Sequence, residues 1–186
     1  MIETDGPGVV TLGEEDRALA VAAVRAVLRV ANEDEDALIV AFVETALGLA
    51  EQFLGQMLIV RTLRVPVVGC AAWQRLAVAP VRAITGVETL AGVALRAEAF
   101  AVDIDAAGEG WVRVVQADAA AQVAVVVSAG LATGWAGLPA PIRQGAILLA
   151  AYLFDERDAG RAPPVAVTAL WRPFRRIALS QPARAC

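Results

Sequence analysis

The residue types that most often do chemistry are scarce in this chain. Histidine, the commonest general base and metal ligand, does not occur among the 186 residues. Two cysteines, a few spaced carboxylates, scattered serines and sixteen cations remain, and every cation is arginine. Cys70 has no charged neighbour within several residues to lower its thiol pKa. Cys186 is the last residue and Cys70 lies mid-chain, so reduced thiols are expected rather than a disulfide framework. Ser128 and Ser180 would need a base the chain does not supply, and no G-x-S-x-G elbow occurs. Asp103 and Asp105 alternate along a strand and share a face, the geometry of paired carboxylates. Beside "AAGEG" they read more simply as solvent-facing residues before a turn.

Sites for ions and phosphate fare no better. The acidic run Glu33–Asp36 lacks the spaced ligands and central glycine of a calcium loop. It reads as a solvated first turn favoured by a helix dipole, or as an anion cluster for a neighbouring subunit's arginine. "SAGLATGWAG" is glycine-rich but has no lysine and no phosphate-loop pattern. Two distant cysteines without histidine do not make a zinc site. The expectation is a chain that is not an enzyme and holds no cofactor or metal.

One stretch does carry recognition chemistry. In "ALWRPFRRIAL", Leu170, Trp171, Arg172, Pro173, Phe174, Arg175 and Arg176 lie together with no acid nearby. From residue 161 onward there are five arginines (161, 172, 175, 176, 184) and no acid, a formal +5. Residues 1 to 160 hold eleven arginines against all twenty acids, a formal −9. Arginine interleaved with aromatics can grip phosphate and stack on bases, but an acidic body repels DNA. Tryptophan and arginine are also the residues enriched at protein interface hot spots. A protein groove with a negative rim is the better host.

The elements that must position this stretch can be read from periodicity. "GEEDRALAVAAVRAVLRV" has acids at its start, arginines near its end and an apolar stripe between, which predicts a helix over 14–30. Asn32 with Glu35 resembles a capping box, and Leu38, Phe42, Ala46, Leu49 and Phe53 keep helical spacing up to Gly55, which predicts a helix over 33–54. Residues 57–130 change to short β-rich runs bounded by Gly or Pro, with an Ala-Gly turn at 91–92, and predict antiparallel strands. Pro141 at a helix start and apolar residues from Ile142 to Phe154 predict a third helix over 140–157. "AGRAPP" then breaks the chain before a separate arm. The fold class is therefore α+β: a helical bundle from the N- and C-terminal thirds, an inserted antiparallel β region, and a C-terminal arm. The expected organisation is one domain over 1–160 and an arm over 161–186, after a loose, glycine-rich lead-in to residue 13.

No membrane or export role is expected. The uncharged run between Asp118 and Arg143 is cut by three glycines and two prolines, and "GAILLAAYLF" is too short to span a bilayer. The N-terminus shows no basic segment followed by an apolar run of signal-peptide length. A hydrophobic content of 58% and a mean hydropathy of +0.60, supplied largely by Ala and Val, suit a chain that buries surface against copies of itself.

The order of these elements resembles the head-tail connector, or adaptor, proteins of long-tailed bacteriophages and phage-derived gene transfer particles. The matching stretches are 24–65, 75–90 ("RLAVAPVRAITGVETL"), 125–158 and the closing "ALWRPFRRIAL". The resemblance implies a structural role: a homo-oligomeric ring of about twelve copies under the portal that completes the DNA channel and joins head to tail. DNA would pass without sequence-specific binding. It further implies that the arm docks on the portal protein, with Leu170, Trp171 and Phe174 as anchors and Arg172, Arg175 and Arg176 facing portal acids. The other partner would be the next head-completion or tail protein. The location would be the virion or phage-like particle, assembled in the bacterial cytoplasm. A tail-completion or stopper protein of the same particle is the alternative, and a soluble ligand-binding domain a further one.

Overall fold

A computed structural model describes residues 7–115, 122–156 and 164–176. The expected positions Arg161, Ser180, Arg184, Cys186 and the last residue of the third helix, 157, lie outside the described residues. The described chain groups into two compact units, one helical, from Pro7–Ile59 and the residues from Ala132 onward, and one of strands, Val60–Leu131. The α+β reading holds, with antiparallel strands inserted between helical segments.

The helical unit contains α1 (Glu14–Leu28), α2 (Asp36–Leu54), α3 (Ala140–Asp155) and α4 (Val165–Trp171). Its main pair is α2 against α3. Ala46, Ala50, Ala146 and Ala150 are all fully buried and let the helices approach closely, while Ile39, Leu47, Leu54 and Ile142 fill the space around them. Each such aliphatic side chain contributes about 1.5–3 kcal/mol on burial. Phe42 meets Phe154 edge to face, ring centroids 6.4 Å apart.

The helix ends show where local rules were outweighed. α1 stops at Leu28 because Arg29 turns left-handed (φ 58°) and its N–H donates to the Arg25 carbonyl. α2 starts at Asp36, not 33, and the Asn32/Glu35 capping box does not form. The Asn32 amide donates instead to the Asp34 carboxylate at 3.2 Å, and the Asp36 N–H closes a turn onto the Glu33 carbonyl at 3.1 Å. Arg25 organises this corner: its guanidinium donates to the Asn32 carbonyl and lies 3.0 Å from an Asp36 oxygen. Gly55 ends α2 as expected, with φ 66°.

The expected loose lead-in is a strap in its described part. Val10 and Leu12 are buried, and the backbone N–H groups of Leu12 and Gly8 donate to Glu44 (2.9 Å) and Glu51 (2.9 Å) on α2. Glu44 also accepts from the Arg17 guanidinium at 3.1 Å. Between the two glutamates sits Gly48, where a Cβ would collide with the Gly8 carbonyl. Glu51 is fully buried and also accepts the Leu58 N–H at 2.8 Å. By length and composition α2 is apolar enough to cross a bilayer, yet α1, α3 and α4 pack against it and its glutamates have these partners.

The β unit holds β1 (Arg61–Val68), β2 (Gln74–Arg75), β3 (Val81–Thr89), β4 (Phe100–Ile104), β5 (Gly110–Val114) and β6 (Gln122–Ala129). They form two three-stranded antiparallel sheets, ordered β1-β6-β3 and β2-β5-β4. β6, "QVAVVVSA", is the centre of the first, with Leu63 opposite Val127 and both Val65 and Val87 opposite Val125. Its near-continuous apolar run suits a strand buried on both faces. The turn at Ala91–Gly92 is as expected, with Gly92 at φ 85°. Asp105 holds a second turn, its Oδ1 accepting the N–H groups of Ala107 and Glu109 at 2.9 Å each. One expectation is corrected: Cys70 is disulfide-bonded, not a reduced thiol.

Candidate interface at the C-terminal segment

Residues 164–176 form a short helix, α4, followed by a 3-10 turn over Arg172–Phe174. Pro164 precedes the first turn, where a missing N–H costs nothing, and Pro173 turns the chain out of the α-helix. Where the sequence suggested a separate arm, this segment packs on α3 and α2.

Trp171 is the reason. It is 3% exposed, its indole N–H donates to the Ile142 carbonyl at 3.1 Å, and its ring lies 6.0 Å from that of Phe53. The seat for the indole is cut by Gly145: a Cβ there would sit 2.8 Å from Cε2 and overlap the indole nitrogen. Val167, one turn earlier, is buried on the same side. The chain is pinned again beyond the turn, where the Gln56 amide donates to the Phe174 carbonyl at 2.9 Å and the Arg176 N–H to the Leu54 carbonyl at 2.8 Å.

The seven candidates thus divide. Trp171 belongs to the core of the helical unit; Leu170, Phe174 and Arg176 are half-buried; Arg172, Pro173 and Arg175 are exposed. The Arg175 guanidinium lies over the Phe53 ring, 5.5 Å from its centroid, a cation–π contact at the end of α2. Arg172 and Arg175 form no ion pair among the described residues. The segment carries two exposed, permanently charged forks, Arg172 and Arg175, on either side of Pro173, above the buried Trp171.

A second arginine–aromatic group was not read from the sequence. Arg113 lies over Trp73, 5.1 Å from its ring, and Trp73 is 44% exposed. The two residues lie 40 positions apart and come together only because β2 pairs with β5. Asp103 and Asp105 do not converge on a site: Asp105 is engaged by its turn and by the Trp111 indole N–H at 3.2 Å, and Asp103 accepts its neighbour's N–H. Among the described residues no group of three metal-ligating side chains occurs.

Comparison with solved structures places the whole architecture. A chain in the neck of an empty gene transfer agent particle, with C6 symmetry, superposes with a TM-score of 0.72 over 94% of this chain and 97% of that one. The fold is that of a gene transfer agent neck structure. A chain from the neck of the native particle, with C12 symmetry, gives 0.71 over the same shares, and one from the native virion gives 0.70 over 92% and 95%. Sequence identity is 24% in each case, so the likeness is one of fold. The sequence matches no protein family and no curated protein.

Proposed function

We propose that this chain is a structural, non-enzymatic part of the head-tail junction of a tailed phage or gene-transfer-type particle. In this reading it is an adaptor: copies form a ring under the portal, complete the DNA channel and join head to tail. The observation that carries the reading is the fold match, which spans 94% of this chain and 97% of a neck chain. A ring is supported by the C6 and C12 symmetry of the two neck structures. The surface assigned to the portal is the Leu170–Arg176 segment, used in place. Arg172, with Pro173 beside it, supplies the exposed charge, and the half-buried Leu170 and Phe174 supply the apolar rim. The portal side should therefore be acidic.

Co-sedimentation with portal-bearing capsids tests this, comparing the intact chain with Arg172→Glu. Arg172 is exposed, so the variant should keep its melting temperature while its capsid affinity falls about tenfold or more. Equal binding would remove the segment from the portal contact. Failure of both proteins on capsids, with retained binding to isolated tails, would replace the adaptor by a tail-completion protein. Failure on both would refute the junction role.

A further inference from the structure

The helical unit leaves two apolar faces open. A helix that is hydrophobic all round is normally buried all round, yet the most apolar 18-residue window of α2, with mean hydropathy 1.6, is only 44% buried. Its uncovered stripe runs Leu38, Ala41, Thr45 and Leu49, residues that recur every three or four positions and carry no charge. Leu38 is 39% exposed and Leu49 43%. α1 has a matching face: Leu19 is 52% exposed and Val27 45%, with Ala22 and Ala26 exposed between them. Small alanines flanking large aliphatics give the relief that lets one helix seat on another.

The charges at the ends of these faces choose the partner and its direction. The α1 face is acidic at its start, Glu14 and Glu15, and basic at its end, Arg29, all exposed. The α2 face is preceded by Glu33, whose side chain is 86% exposed, and by Asp34, and its far end is flanked by Arg175 over Phe53. Two such faces laid parallel would set acid against acid and base against base. Laid antiparallel, they set Arg29 against Glu33 and Asp34, and Glu14 and Glu15 against Arg175.

We propose that α1 of one copy packs antiparallel on α2 of the next copy, apolar face to apolar face with opposite charges at both ends. The contact is heterologous, since each copy uses two different surfaces, and repeats of it close into a ring when the rotation allows. The proposal rests on the ring reading above and names the surface through which the ring would form. It takes up Glu33 and Asp34 of the acidic run as a site for a neighbour's arginine, Asp36 being held by Arg25 of its own chain, while the portal contact keeps Arg172.

Complementation between single variants tests it on the full chain. Leu19→Glu spoils the α1 face and Leu49→Glu the α2 face; both residues are exposed in the single chain, so melting temperatures should stay close to wild type. In sedimentation velocity each variant should self-associate about tenfold or more weakly than wild type. An equimolar mixture should recover a dimer and nothing larger, because one α1 face and one α2 face remain intact. Wild-type-like association of both variants, or no recovery on mixing, overturns the helix pair. Should the wild type stay monomeric in solution, the readout is copies retained on portal-bearing capsids, which both variants should reduce; unchanged retention overturns the proposal. Self-association without capsid binding would refute the junction role and leave this interface standing.

Discussion

Replacing Trp171 by alanine separates a core residue from the anchor of a free arm. The indole is 3% exposed, hydrogen-bonded to Ile142 and seated over Gly145. Truncating a buried tryptophan costs about 3–5 kcal/mol, and the lost hydrogen bond leaves the Ile142 carbonyl for the loosened segment or water to satisfy. For a chain of this length about 2–4 °C accompany each kcal/mol, so the thermal midpoint should fall by about 6–20 °C. Differential scanning calorimetry reads this directly. The sharper test is the double mutant with Gly145→Ala. In the wild-type background the added methyl overlaps the indole and should destabilise by about 1–3 kcal/mol. In the Trp171→Ala background the obstacle is gone, and exchanging a mid-helix glycine for alanine should stabilise by up to about 1 kcal/mol. The sign of Gly145→Ala should therefore reverse. If Trp171→Ala moves the midpoint by less than about 2 °C, or Gly145→Ala costs the same in both backgrounds, the indole is not seated there and the reasoning fails.

Other perturbations follow from the same geometry. Glu51→Ala removes the acceptor of two backbone N–H groups, Gly8 and Leu58, and should lower urea stability by about 2–4 kcal/mol. Gly48→Ala should lift the strap from α2, seen as at least about tenfold faster hydrogen exchange at the Gly8 and Leu12 amides with α3 amides unchanged. Asp105→Ala should loosen the 105–109 turn at a cost of about 1–2 kcal/mol, and Asp105→Asn should recover part of it by keeping an oxygen acceptor. Trp171→Ala should also weaken capsid binding, because it unfastens the platform under Arg172; a gain in affinity would show that the segment docks only after release.

Periodicity made much of this fold legible. α1, α2 and α3 were readable from stripes and terminal signals, with Gly55 ending α2 where a left-handed residue is needed, and β6 from its apolar run. The departures lie where a distant partner outweighs a local rule. Asn32 could cap α2, but Arg25 draws the Asn32 carbonyl and Asp36 into another turn. Pro7 and Gly8 look like part of a loose lead-in, and only the position of Gly48 and Glu51 on α2 shows that the chain is held at Gly8. Glu51 was the available signal: an acid in an otherwise apolar helix needs donors, and the nearest backbone able to supply them was not predictable from spacing. Prolines 163, 164 and 173 suggested a detached arm, whereas Gly145, some 26 positions before Trp171, had already made room for the indole.

The burial of Trp171 bears on how the segment can meet a portal. Swinging the whole segment out would expose the indole and break its bond to Ile142, at about 3–5 kcal/mol before any contact is made. At 1.4 kcal/mol per decade, that lowers the apparent affinity by a factor of about 10² to 10³ or more. Docking in place avoids this cost, since the exposed Arg172 and Pro173 already face outward and α4 is ordered on α3. It also limits the entropy lost on binding, because the side chains that would pair with portal acids stand on a fixed backbone. The same economy applies to the ring. The exposed faces of α1 and α2 are already formed on helices packed in the single chain, so a neighbour would not have to fold them before it packs. In the proposed assembly the portal-facing segment and the ring faces would share the end of α2, where Arg175 covers Phe53. A portal acid drawing on Arg175 would compete with the neighbour's Glu14 and Glu15, whereas one that takes Arg172 would leave the proposed ring contact intact, and that division of the two arginines would allow both interfaces to be occupied at once.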